Sequence, residues 1–281
     1  MKNNLQLNLQ FFASEQTKKA DLINPEVLAN VVGGKLEKEI RFSPYAVIDN
    51  TLVGQPGDAI TRPKYAYIGA ADDLEEGVAM DTTKMSMTTT KVTVKETGKA
   101  VSVTQTAVIT NLNGTLNEAA RQLAMSLADK VEMDYIEELK TAKLTSSVTH
   151  TASGILDAIE VFDSEKDEKY TLFINPKDYN KLVKGLFKVG GAVQDRAITT
   201  GQVAELVGVS DIVKTKRTDQ TEAFIQKEGA MEIVNKKKPE AYSDFDILKR
   251  EHILSTNYHY GVNLKDDNGV VKVTFTEDTG A

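Results

Sequence analysis

The chain of 281 residues contains no cysteine and no tryptophan, and only three histidines. Without cysteine there is no disulfide framework, thiolate nucleophile, zinc–thiolate site or iron–sulfur cluster. No apolar run approaches the ~18–20 residues that a membrane helix needs. The opening Met1–Ala13 alternates apolar residues with Asn and Gln and lacks the continuous apolar core of a secretory signal. Lys+Arg is 34 against Asp+Glu 41, a net charge of −7. That balance argues against a protein that grips nucleic acid through its net charge.

Reactive constellations are also missing. His150, His252 and His259 are isolated, and there is no H-E-x-x-H, phosphate loop or nucleophile elbow. The acidic run Asp72, Asp73, Glu75, Glu76 lacks the alternating ligands and fixed glycine of a calcium loop. It reads as a solvated or subunit-facing loop. Asp266-Asp-Asn-Gly269 is explained as a turn, with Asn-Gly a strong hairpin signal. Lys236-Lys-Lys238 is too short for a nucleic-acid footprint and reads as a solvated turn. No catalytic residue, metal or cofactor is expected.

What is present is an α+β pattern. Residues 1–24 form an arm in which Leu5, Leu7 and Leu9 alternate with polar residues before Phe11 and Phe12. Such an arm cannot bury two phenylalanines by itself, so it packs on the body or on a neighbour. Asn24-Pro25 caps and opens a helix over 25–40. From 42 to 110 the pattern turns to β, with ten threonines in residues 81–110. Gln55-Pro-Gly-Asp58 is a turn. A strand over 59–68 is interrupted by Pro63, which suits a sheet edge or a bulge. Glu96-Thr-Gly-Lys99 reads as a hairpin turn between Val92/Val94 and Val101/Val103.

Residues 115–142 carry the longest helical pattern. Leu116, Ala120, Leu123, Leu127, Val131, Tyr135 and Leu139 form its apolar stripe. Thr115 and Glu118 fit a capping box. Glu132, Asp134, Glu137 and Glu138 are expected to face solvent or a neighbour. A compact α/β unit follows over 148–239: helices at 154–162, 176–186 and 203–207, strands at 170–174, 211–214, 223–226 and 231–234. A long strand over 253–264 and a final one over 270–275 complete the chain. Apolar arms and excursions that one chain cannot bury suit a self-assembling subunit.

Several segments resemble the major capsid proteins of tailed bacteriophages with the Hong Kong 97 fold. Met1–Ala13, ending Leu-Asn-Leu-Gln-Phe-Phe-Ala, is similar to the start of many phage head proteins. Ile23-Asn-Pro-Glu-Val-Leu28, Gly54-Gln-Pro-Gly-Asp58, and Pro63-Lys-Tyr-Ala-Tyr-Ile-Gly69 with the acidic Asp72–Gly77 stretch resemble one group of them. The resemblance implies an N-terminal arm (1–24), a peripheral domain (25–55, 85–147 and 240–269) with a spine helix, an extended loop (56–84) and an axial domain (148–239 and 270–281). It implies pentamers and hexamers of an icosahedral shell that encloses double-stranded DNA without sequence-specific binding. Subunit contacts would fall on Leu5, Leu7, Leu9, Phe11, Phe12, Tyr67, Asp72, Asp73, Glu75 and Glu76. The expected partners are further copies of the chain, a portal and a separate scaffolding protein, because only residues 1–24 precede the first helix. No membrane is involved; the protein would be made in the bacterial host cytoplasm and reside in the virion. Alternatives are another self-assembling structural protein, such as a tail or surface-layer component, or a soluble α+β enzyme.

Overall fold

The computed structural model describes residues 40–71, 73, 79–110, 115–189 and 203–276. The arm expected over 1–24 and nearly all of the helix expected over 25–40 lie outside these. Among the described residues, strands and helices form an α+β fold with three sheets.

The first sheet has the order β1 (Val47–Asp49), β9 (Met231–Asp246), β10 (Glu251–Leu264), β4 (Lys95–Thr104). Here β9, β10 and β4 are antiparallel and β1 runs parallel to β9. The hairpin turn expected at Glu96–Lys99 is absent: these residues lie inside β4 and pair with Tyr258, Asn257, Thr256 and their neighbours on β10. Gly98 is there for close approach, since a Cβ would meet the Thr256 carbonyl oxygen at 2.8 Å. Lys236-Lys-Lys238 is likewise not a turn. It lies within β9, where the register against β10 shifts twice between Asn257 and Tyr260. The extra residues bulge on β9 beside Pro239, which cannot donate to a ladder.

Helix α2 (Thr115–Leu139), which follows the short α1 (Gln105–Thr110), crosses this sheet and buries Ala120, Leu123, Leu127, Val131, Tyr135 and Leu139 against it. The expected stripe is therefore the one buried, at ~1.5–3 kcal/mol for each large side chain. Two details differ from the sequence reading. The capping box does not form: Thr115 Oγ1 is buried without a hydrogen-bond partner among the described residues, while Glu118 pairs with Arg121. Glu132 and Asp134 do not face solvent; they are 2 % and 5 % exposed. Arg41 and Arg217 pair with Glu132, and Lys95 and Lys130 with Asp134, which offsets the cost of burying the carboxylates.

The second sheet has the order β5 (Leu144–Thr149), β11 (Val270–Thr276), β8 (Glu222–Lys227), β6 (Tyr170–Ile174), β7 (Asp211–Lys214). Its strands β6 and β8 are buried around their apolar runs Leu172-Phe-Ile174 and Ala223-Phe-Ile225. Helices α3 (Ala152–Glu160) and α4 (Pro176–Val189) cover a core of Ile155, Leu172, Leu182, Ile225 and Val273. The short α5 (Val203–Leu206) precedes β7. Thr151 caps α3 through Gly154 N–H, and Asn175 Oδ1 accepts Lys177 N–H at the start of α4. The Asp266–Gly269 turn joins β10 to β11, but these strands belong to different sheets, so no hairpin forms. Tyr135 ties the two sheets together: its hydroxyl donates to Gln226 Oε1 at 2.6 Å, and its ring packs with Phe42 and Phe173.

The third unit is a two-stranded ribbon, β2 (Ala59–Tyr65) paired antiparallel with β3 (Met87–Thr93). Pro63 lies on an edge strand, as its missing N–H requires.

Candidate assembly surfaces

Opposed residues of an antiparallel pair point to the same side, so the register sorts the ribbon into two faces. Ile60, Arg62 and Lys64 lie opposite Val92, Thr90 and Thr88. This inner face meets the body: Ile60 and Val92 join Leu52, Val94 and Val234 in a small apolar cluster. Further out, Arg62 pairs with Asp49 and Glu232, and Lys64 with Asp267.

The described residues of the outer face and of the excursion beyond it have no such cover. Tyr65 and Met87, directly opposed, are 60 % and 52 % exposed. Tyr67 is 84 % exposed, and Ile68, Met80 and Met85 are open as well. That is a concentration of large apolar groups on one projecting element, the mark of an association surface rather than of scattered surface residues. Of the residues expected to make subunit contacts, Tyr67 and Asp73 lie on this excursion and are exposed. Leu5, Leu7, Leu9, Phe11, Phe12, Asp72, Glu75 and Glu76 lie outside the described residues.

A second exposed apolar site escapes sequence reasoning. At the turn between β9 and β10, Ile247 and Leu248 are 78 % and 95 % exposed, with Phe245 and Tyr242 behind them. Asp246 Oδ1 accepts Leu248 N–H and Lys249 N–H and so holds the turn in shape. Gln105 N–H donates to Arg250 O, which places α1, with its exposed Ile109, beside it. The available signal was an apolar pair between Asp246 and Lys249, where a hairpin turn normally carries Gly, Asn or Asp.

The histidines are structural. His150 stacks on Phe275 at 4.3 Å and contacts Asp178. His252 packs against Phe245, and His259 lies 3.5 Å from Glu96. Among the described residues no group of three or more His, Asp or Glu is placed to hold a metal, and no helix is long and apolar enough to cross a membrane.

A fold that concentrates exposed large apolar groups on a ribbon and at a hairpin tip has the surfaces of an associating structural subunit. Residues 87–273 match the phage capsid protein family. The chain is 32 % identical over 262 residues to the major capsid protein of Staphylococcus phage phiMR11, covering 92 % of this chain and 95 % of that one. In fold it is similar to the capsid of cyanophage P-SCSP1u, with TM-score 0.69, 12 % identity, and 84 % and 88 % of the two chains covered. It is similar also to the capsid of a native GTA particle, with TM-score 0.68, 12 % identity, and 95 % and 96 % covered. The chain belongs to the phage capsid protein family, with the Hong Kong 97-type α+β fold. Its work is that of a major capsid protein, a subunit of a homo-oligomeric virion shell, and it is not an enzyme.

Proposed function

We propose that the chain assembles into pentamers and hexamers of an icosahedral phage head that encloses double-stranded DNA. The observation that carries this reading is the ribbon: its inner face is satisfied by its own subunit, while Tyr65, Tyr67, Met85 and Met87 are left for another. In this reading residues 56–84 are the extended loop that lies over a neighbouring copy. Residues 25–55, 85–147 and 240–269 are the peripheral domain, with α2 as its spine. Residues 148–239 and 270–281 are the axial domain, and 1–24 the arm. Leu5, Leu7, Leu9, Phe11, Phe12, Tyr67, Asp72, Asp73, Glu75 and Glu76 make intersubunit contacts, and Ile247 and Leu248 add a further one.

The acidic net charge of −7 is compatible with retaining DNA by enclosure rather than by attraction. A portal and a separate scaffolding protein complete the particle, which is built in the cytoplasm of the bacterial host. Negative-stain electron microscopy of the expressed full chain tests the reading. Closed shells with five- and six-fold capsomers are expected. Tubes or flat sheets would favour a tail or surface-layer component, and a protein that stays monomeric under all conditions would overturn the assignment.

A further inference from the structure

An isolated two-stranded ribbon is marginally stable in water and has no intrinsic direction relative to the domain that carries it. Here the apolar anchor reaches only as far as Ile60 and Val92. Beyond it, an open cleft of about 510 Å³ separates the ribbon from the body. Arg62, Lys64, Ala66, Ser86 and Thr88 line one wall, and Gly229 and Lys265–Asp267 the other. The contacts that cross this space are polar. Arg62 Nη2 lies 3.2 Å from Glu232 Oε2 and also pairs with Asp49. Lys64 Nζ pairs with Asp267 and donates to Leu264 O at 3.2 Å.

The seat is built rather than incidental. Glu232 is 2 % exposed and its Oε1 accepts Asn263 Nδ2 at 2.8 Å. Asp267 is shared with Lys143 from the segment before β5. The three carboxylates come from β1, β9 and the β10–β11 turn, so they report the positions of both larger sheets. Just before β2, Gly54 and Gly57 take φ of +76° and +103° with open space where a Cβ would sit. That is a connection with room to change shape.

We propose that Arg62 and Lys64 form an ionic latch, seated on Asp49, Glu232 and Asp267, that holds the ribbon at a fixed angle to the body and, when released, lets it swing about its apolar base. Charge pairs suit this task because they set an angle by direction and distance and are exchanged without opening a core. The latch matters for assembly only on the reading that the ribbon reaches a second copy. Its test is therefore made on unassembled subunits, so that the two ideas fail separately.

The absence of cysteine makes the test direct. Thr83→Cys beyond the ribbon and Asp157→Cys on α3, both exposed, accept a single pair of nitroxide labels for pulsed dipolar distance measurement in the full-length chain. A narrow distribution is expected in the parent at low salt. Arg62→Gln with Lys64→Gln should widen it at least twofold while leaving the circular dichroism unchanged. Asp267→Asn, which leaves the buried Glu232 paired, should give a smaller widening and serves if the double variant does not fold. Widths equal to the parent's in the folded variants would overturn the latch and assign the ribbon's direction to its backbone and apolar base.

Discussion

Glu132 Oε2 lies 2.6 Å from Arg217 Nη1, joining α2 to the loop that follows β7. The same carboxylate accepts Arg41 N–H at 3.0 Å and Arg41 Nη2 at 3.1 Å. One buried side chain thus holds the start of the described chain, the long helix and the edge of the second sheet. Glu132→Ala should lower stability by about 3 kcal/mol, because it leaves two guanidinium groups facing a site built for an anion. Arg41→Ala should cost within about 1 kcal/mol, since that side chain is 53 % exposed. Urea unfolding of unassembled subunits measures both; equal losses would deny Glu132 its place as the shared acceptor.

Asp178, at the start of α4, gives a pH dependence. Burial by itself would raise its pKa. Thr221 N–H at 2.9 Å, His150 Nε2 at 3.1 Å and Lys181 outweigh this and hold the carboxyl below its ordinary value of 3.8. A depressed carboxylate contributes stability that is fully present above its unfolded pKa and is lost as pH falls through the lower folded value. The unfolding midpoint should therefore fall steeply below about pH 4. Asp178→Asn should be less stable at pH 7 and should flatten that acid limb. An acid limb of the same slope in the variant would show that other carboxylates carry it.

Gly98 separates two accounts of residues 96–99. In a solvated turn, valine would cost little. Inside β4, its Cβ would press on the Thr256 carbonyl at 2.8 Å, so Gly98→Val should destabilise by about 1–3 kcal/mol. Thermal unfolding with Lys99→Val as the neighbouring control distinguishes the two, since Lys99 is exposed.

Tyr65→Ser with Tyr67→Ser should leave the subunit's stability within about 0.5 kcal/mol of the parent, because neither ring is buried in the chain itself. Shell yield by sedimentation should drop at least tenfold. Deleting residues 1–13 should likewise impair assembly more than subunit folding. Normal shells from either protein would remove those residues from the contact set.

Much of the architecture was legible in the sequence. The stripe Leu123–Leu127–Val131–Tyr135–Leu139 has one solution, a helix with that face buried. Pro63 marked an edge strand and Asn175-Pro176 a helix start. The failures share a cause. Gly98, the Lys236–Pro239 run and Asn268-Gly269 are residues that in local terms favour turns. Two of these sites instead lie in strands whose partner, β10, is more than a hundred residues away for Gly98 and beyond a hairpin for β9. The third is a turn, but one that passes the chain between sheets.

Sequence by itself determined the absence of thiol chemistry, the α+β succession and the presence of more apolar surface than one chain covers, because these depend on residue type and local period. Only the tertiary structure decided which groups are left over. The ribbon's two faces follow from register against β3, the burial of Glu132 and Asp134 from cations brought in by distant segments, and the exposed Ile247–Leu248 tip from where the β9–β10 hairpin ends. Each depends on which residues are brought to face one another by pairing and packing, which local spacing does not encode.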